Sequence, residues 1–232
     1  AESPVLASAP NVVGRSLLVN PQLSATGGTR LAMRYAHNGD WAFNLSGGFH
    51  HARPALAHGF CLMNDVAWAL HCLRAEGHEP KVLVLDLDLH QGDGNAAFFA
   101  ERDDVFTASL HQEDTFPQPK VQSDFDLGLQ GGGVDDEVHL RAVDEGIAAI
   151  SKDFAPEIIV YVAGTDPFKD DNVGQFDVTM DGMRERDLRV ARYARKQSAG
   201  LVVLPAGGYS SASPKLSANG FAAMASEFSR GA

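Results

Sequence analysis

Five short runs rich in valine, leucine and isoleucine punctuate this chain of 232 residues: WAFNL (41–45), KVLVLD (81–86), DVFTASL (104–110), EIIVYVAG (157–164) and GLVVLPAGG (200–208). Between and beyond them lie stretches with helical spacing of apolar residues, at about 24–37, 63–77, 94–101, 135–154, 180–199 and 216–229. Strands apolar on both faces that alternate with helices imply a parallel sheet covered on both sides. The expectation is an α/β fold, doubly wound, with a mainly parallel sheet and helices on both faces. No repeat, low-complexity tract or linker interrupts it, so residues 1–232 read as a single domain. Sheets of this kind bind ligands in the crevice beyond the carboxyl ends of their strands, so the loop after each strand is the place to look for chemistry.

Composition narrows the classes. A formal net charge of −11, from 19 Lys and Arg against 30 Asp and Glu, argues against direct binding of nucleic acid through phosphate neutralisation. The first ten residues, AESPVLASAP, lack the charged and apolar regions of a signal peptide, and no apolar run reaches about 18 residues. A cytoplasmic protein without membrane contact is expected. Two cysteines, Cys61 and Cys72, are too few for a disulfide scaffold or a thiolate zinc site and read as reduced core residues.

Every strand end delivers a glycine turn, a titratable group or both. After WAFNL comes SGGFHH with His50 and His51, and the loop runs on through His58, Gly59, Phe60 and Cys61. After KVLVL comes DLDLHQGDG; then Ser109, Leu110 and His111; then Thr165 and Asp166; then Gly207, Gly208 and Tyr209. In extended chain i and i+2 share a face, so Asp88 and His90 converge if the extended conformation persists past the apolar run. With Asp166 from another strand they form one imidazole and two carboxylates with open positions, a set suited to a catalytic divalent metal, zinc above all. Taken singly, each acid also reads as a helix N-cap. His50 and His51 both face the crevice if the glycines of SGGF turn the backbone. A histidine there can move a proton to and from a metal-activated water, provided that an acid fixes its tautomer. Asp86 and Asp93 are left to supply such partners. Tyr209 is placed to donate to an oxygen that gains negative charge, or else is an ordinary aromatic lid.

These segments together resemble a known family. GGFHHA (47–52), GFCLMND (59–65), DLDLHQGDG (86–94), AGTDPFKDDNVG (163–174) and PAGGY (205–209) are similar, in family order, to the zinc-dependent histone deacetylases and their bacterial relatives in the arginase/deacetylase superfamily. HQGDG, AGTD and SDFDLGL (123–129) lean towards the class IV branch. The resemblance implies zinc held by Asp88, His90 and Asp166, with His51 paired to Asp93 as general base and acid. It implies His50 paired to Asp86 as an electrostatic histidine, and Tyr209 as the residue that polarises the carbonyl. Gly59, Phe60, Gly208 and, on a weaker alignment, Phe116 would line an acyl-lysine channel. Asp86, Asp88, His90, Ser109 and Leu110 would surround a structural monovalent cation, often potassium. Phe168, Asp171 and Gly174 fit the family's pattern after the metal acid.

The implied activity is removal of acetyl or longer acyl groups from lysine side chains or small amines such as polyamines. Binuclear manganese ureohydrolases of the same superfamily need further carboxylates two residues past the histidine and two past the later aspartate. Those positions are Gly92 and Phe168, which favours one metal. A descendant that only binds an acylated ligand or a partner is the other reading, although no expected ligand, histidine or tyrosine is missing. Family members usually carry several dozen residues more ahead of the helix expected at 24–37, where this sequence supplies 23. Either that segment is absent from this chain alone, or the fold is trimmed; trimming would leave an open sheet edge that favours a homodimer or a wide channel mouth.

Overall fold

The computed structural model describes residues 14–229, so the N-terminal stretch that lacks the marks of a signal peptide lies outside the described residues. A π-helical turn, Arg15–Val19, leads into α1 (Asn20–His37), and β1 (Trp41–Phe43), α2 (Asp65–Ala75), β2 (Val82–Asp86) and α3 (Asp93–Phe99) come next. Then come β3 (Val105–Gln112), β4 (Phe125–Leu129), α4 (Asp136–Asp153), β5 (Ile158–Val162), α5 (Met180–Gln197), β6 (Gly200–Leu204) and α6 (Ser213–Ser229). The six strands form one sheet in the order β1-β6-β5-β2-β3-β4, and every pairing is parallel. The expected α/β architecture is therefore present. β4 is an addition to the five expected strands.

Burial explains the order. β2, β5 and β6 are buried along their whole length and hold the middle of the sheet, whereas β1 is only half buried and β4 alternates between half-buried and exposed. Side chains on one face (Leu83, Leu85, Ile159, Tyr161, Leu201, Val203) pack with Val143 and Ile150 of α4, Val190 and Ala194 of α5, and Met224 of α6. Those on the other face (Val82, Val84, Val160, Val162, Val202, Leu204) pack with Met33 of α1, Leu70 of α2 and Phe99 of α3. Each fully buried aliphatic side chain contributes about 1.5–3 kcal/mol, so the two-faced β2 and β5 dominate the core.

Three of the helices, α2, α4 and α5, start where a side chain caps them. Asn64 accepts from Ala67 N at 2.8 Å, Asp135 from Val138 N at 3.0 Å and Thr179 from Gly182 N at 3.1 Å. α5 stops at Ser198 in the left-handed region (φ 54°). Among the described residues no helix is long and apolar enough to cross a membrane. Both cysteines are free; Cys61 is buried, while Cys72 is only half buried on α2.

Candidate active site

Because all six strands run the same way, their carboxyl ends deliver five loops to one edge. β2 stops at Asp86, so the extended path assumed for Asp88 and His90 does not persist: residues 88–90 form a bend. What brings them together is a relay of side-chain turns. Asp86 Oδ1 accepts from Asp88 N at 3.2 Å, and Asp88 Oδ1 accepts from His90 N at 2.9 Å. The neighbouring loops are tied in the same way. Asp166 Oδ1 accepts from Leu89 N at 2.9 Å, Asp88 Oδ2 from Gly207 N at 2.9 Å, and Gly207 O from Thr165 N at 2.7 Å. A side chain at Gly207 would meet Asp88 Oδ2 and Asp166 Oδ2 at 2.6 and 2.7 Å, so only glycine fits beside the two carboxylates.

His90 Nδ1 lies 3.2 Å from Asp88 Oδ1 and 3.0 Å from Asp166 Oδ2. One atom from each of the three buried residues falls within 4.8 Å of the others, close enough together to hold a metal ion. Their electrostatics show the strain of a cation-seeking site. Burial works against the His90 charge, yet Asp166 and Asp88 outweigh it and raise its pKa to about 10. Burial, and then the charge on Asp88, push Asp166 up to about 7. Burial opposes ionisation of Asp88 as well, but His50 and His90 hold it far below the usual carboxylate range. Buried carboxylates that are ionised only beside protonated imidazoles fit a divalent cation by the chemistry of the donor set.

Two histidine–aspartate pairs face this triad. Gly47 and Gly48, at φ 92° and 82°, turn the chain so that the rings of His50 and His51 lie 4.0 Å apart, both buried. The turn is itself held by Asp65, which accepts from Gly48 N at 3.0 Å, Phe49 N at 2.8 Å and Thr29 Oγ1 at 2.6 Å. His50 Nδ1 meets Asp86 Oδ2 at 2.8 Å, and His51 Nδ1 meets Asp93 Oδ1 at 2.6 Å. The pairs are alike in geometry, but their histidines are shifted in opposite directions. For His50, burial is outweighed by Asp86 and Asp88, and the pKa rises to about 9. For His51, burial and then the positive charge on His50 lower it to about 4, despite Asp93. The surroundings thus favour the protonated ring at His50 and the neutral ring at His51.

The structure also places residues that sequence reasoning left without a role. Arg53 Nε donates to Asp93 Oδ2 at 2.6 Å, and His58 Nε2 lies 2.9 Å from the same oxygen without hydrogen-bond alignment. Asp93 therefore carries an arginine on one oxygen and His51 on the other. HARP (51–54) offers no local signal for this, because the arginine meets its partner 40 residues away.

At the mouth, the Phe116 ring stands edge-on to His51, His58 and His90 at 4.9, 5.5 and 6.3 Å. Phe60 is exposed, sits at φ 64° and lies 6.4 Å from Tyr209. A side chain at Gly59 would strike the His51 ring at 2.4 Å, and one at Gly208 would strike Thr165 Oγ1 at 2.0 Å, so neither position has space for a side chain. Tyr209 is part-exposed; burial and the charges of Asp88 and Asp166 hold its phenol protonated, well above the ordinary range. Ser109 lies beside Asp86 in the β2–β3 register, with Leu110 next on β3.

The fold has counterparts elsewhere. Residues 9–224 match the histone deacetylase domain family. The chain is 32% identical to histone deacetylase 2 of Arabidopsis thaliana, over 90% of this chain and 55% of that protein, so it spans little more than half the plant protein's length. Among solved structures, a histone deacetylase homologue complexed with SAHA superposes with a TM-score of 0.72 at 28% identity, over 87% of this chain and 61% of the other. An acetylpolyamine aminohydrolase from Burkholderia pseudomallei gives 0.69 at 26% identity, over 89% and 60%.

Proposed function

The chain belongs to the histone deacetylase family, and from that membership we propose that it is a zinc-dependent amide hydrolase that removes acetyl or longer acyl groups from lysine side chains or small amines. The observation that carries the proposal is the pairing of a buried Asp88–His90–Asp166 ligand set with two adjacent histidines, each held at Nδ1 by its own buried aspartate. Zinc held by those three residues would supply the Lewis acidity that polarises a scissile carbonyl and acidifies water.

The protein's own groups do the rest. His51 Nδ1 is committed to Asp93, which leaves Nε2 free to take the proton from an attacking water and return it to the departing amine. The low proton affinity of His51 keeps that nitrogen available at neutral pH. His50, cationic beside Asp86, stabilises negative charge on the tetrahedral oxygen without moving a proton of its own. The Tyr209 phenol, protonated throughout the working range, donates to the same oxygen.

Phe60 and Phe116 form apolar walls for the aliphatic stem of an acyl-lysine or acyl-polyamine, with Gly59 and Gly208 giving it room. Potassium in the corner formed by Asp86, Asp88, His90, Ser109 and Leu110 would brace the ligand loop. The one-metal reading gains support at position 92, where an added side chain would come within 2.1 Å of Asp86 Oδ2, and at Phe168, which packs with Leu89 and Val178 in a buried cluster.

The test is a panel of acyl chain lengths on lysine peptides, polyamines and small amides, assayed with added zinc and with chelator. Zinc-dependent, chelator-sensitive turnover on at least one carrier is expected. No such turnover on any of them would overturn the proposal.

A further inference from the structure

Arg186 lies on α5, within a stretch, RERD, that reads as a solvated helix face, yet it is among the largest fully buried side chains. Its Nη1 donates to Gly164 O at 2.7 Å and to Leu87 O at 3.2 Å. Those carbonyls stand where β5 and β2 have just ended, one residue before Asp88 and two before Asp166. Past the strand ends the ladder no longer satisfies them, and a buried carbonyl without a donor is costly. One guanidinium nitrogen therefore serves both ligand-bearing loops.

The other side of the guanidinium is tethered. Nε and Nη2 reach Asp187 Oδ1 at 3.0 and 2.8 Å, and the Tyr161 hydroxyl donates to that same oxygen at 2.6 Å. The guanidinium carbon also lies 5.6 Å from the Tyr161 ring centroid. Small residues close the space around the cluster. An added side chain at Gly220 would meet Asp187 Oδ2 at 1.9 Å, and one at Gly164 would meet Asp88 Oδ2 at 2.2 Å. The two ligand loops are thus in close contact directly above the guanidinium.

Stability alone is a poor reason for this arrangement, because replacing a buried ion pair with apolar groups of similar volume is commonly neutral or stabilising. We propose that Arg186 is a positioning residue for the metal centre: tethered by Asp187 and Tyr161, it clamps the carbonyls of Leu87 and Gly164 and so sets the separation of Asp88 and Asp166. The proposal rests on the metal-dependent reading of the site. Partners behind metal ligands typically tune affinity by about 10–100-fold, and Arg186 would act through the backbone that carries the ligands.

The experiment measures zinc affinity and the visible spectrum of the cobalt(II)-loaded full chain, with circular dichroism as the check on folding. Arg186→Lys keeps a cation beside Asp187 but loses the fork that reaches both carbonyls. The double variant Arg186→Met, Asp187→Asn removes both charges together and leaves no buried ion unpaired. Asp187→Asn alone keeps the donors to the carbonyls. Expected is a zinc Kd raised about 10–100-fold and an altered cobalt spectrum in the first two, with a smaller shift in the third. A folded Arg186 variant with the wild-type Kd and spectrum would overturn the clamp. Failure of both Arg186 variants to fold would also overturn it, assigning the residue to the core alone. A wild-type chain that takes up neither metal would instead overturn the metal-dependent reading itself.

Discussion

His51 and Asp93 are joined through Nδ1 and Oδ1 at 2.6 Å, and both are buried. The contact decides which nitrogen of His51 faces the site. With a carboxylate at Nδ1, the proton stays there and Nε2 is the base; with an amide, the ring can turn or change tautomer. Asp93→Asn should lower kcat by about 10²–10⁴ with little change in KM, since ligand set and channel are untouched. Steady-state kinetics beside metal analysis of the variant check this. Unchanged kcat would remove Asp93 from the proton path.

Gly92 tests the count of metals. Its φ of −74° suits any residue, so the restriction is space alone: a side chain there would press on Asp86 Oδ2, the atom that holds His50. Gly92→Ala should lose about 1–3 kcal/mol of stability by overpacking and lose turnover as Asp86 leaves His50. Gly92→Asp should still bind at most one metal per chain. Denaturant titration and elemental analysis read the two effects; a second tightly bound metal in Gly92→Asp would sink the idea that Asp86 blocks that position.

Tyr209 is part-exposed, held at the backbone by its N–H to Asp171 Oδ2 at 2.7 Å and by the Asn172 side-chain amide on its carbonyl. Since the backbone places the ring, removing the hydroxyl should leave the loop intact. Tyr209→Phe should bind metal as before and lose about 10²–10³ in kcat, the usual penalty for one oxyanion donor. Equal turnover would take the phenol out of the reaction.

The sequence makes the sheet legible because its central strands are apolar on both faces, and the site because parallel strands deliver their loops to one edge. Phe125–Leu129 is hidden, since an edge strand of five residues, alternately half-buried and exposed and broken by Gly128, has no apolar run to mark it. β1 is two residues shorter than its apolar run: Asn44 N still donates to Val203 O of β6 at 3.1 Å, but its side-chain amide turns to Ala25 O and Thr29 Oγ1. Within the site, motif spacing locates the groups that do chemistry but not those that hold them. Asp65, Arg53 and Arg186 find their partners 16, 40 and 22 residues away, across elements whose packing no local pattern encodes. A buried arginine on a helix rich in charges reads as solvated until the carbonyls beneath it are known.

His139 offers a pH test that reads stability rather than turnover. It is 2% exposed on α4, and neither ring nitrogen has a partner among the described residues. Burial, then the positive charge of Arg186, lower its pKa from 6.5 to about 3. Between those values the unfolded chain takes up a proton that the folded chain refuses. Stability is therefore unaffected above pH 6.5 and falls, by about 1.4 kcal/mol per pH unit, as the pH drops from 6.5 towards 3. His139→Leu removes that linkage while filling most of the volume. Its stability relative to the parent should be flat from pH 8 to 7 and then gain by about that slope on acidification, read as urea midpoints at several pH values. Midpoints that run parallel down to pH 4.5 would show that His139 takes up its proton in the folded protein as readily as in the unfolded chain.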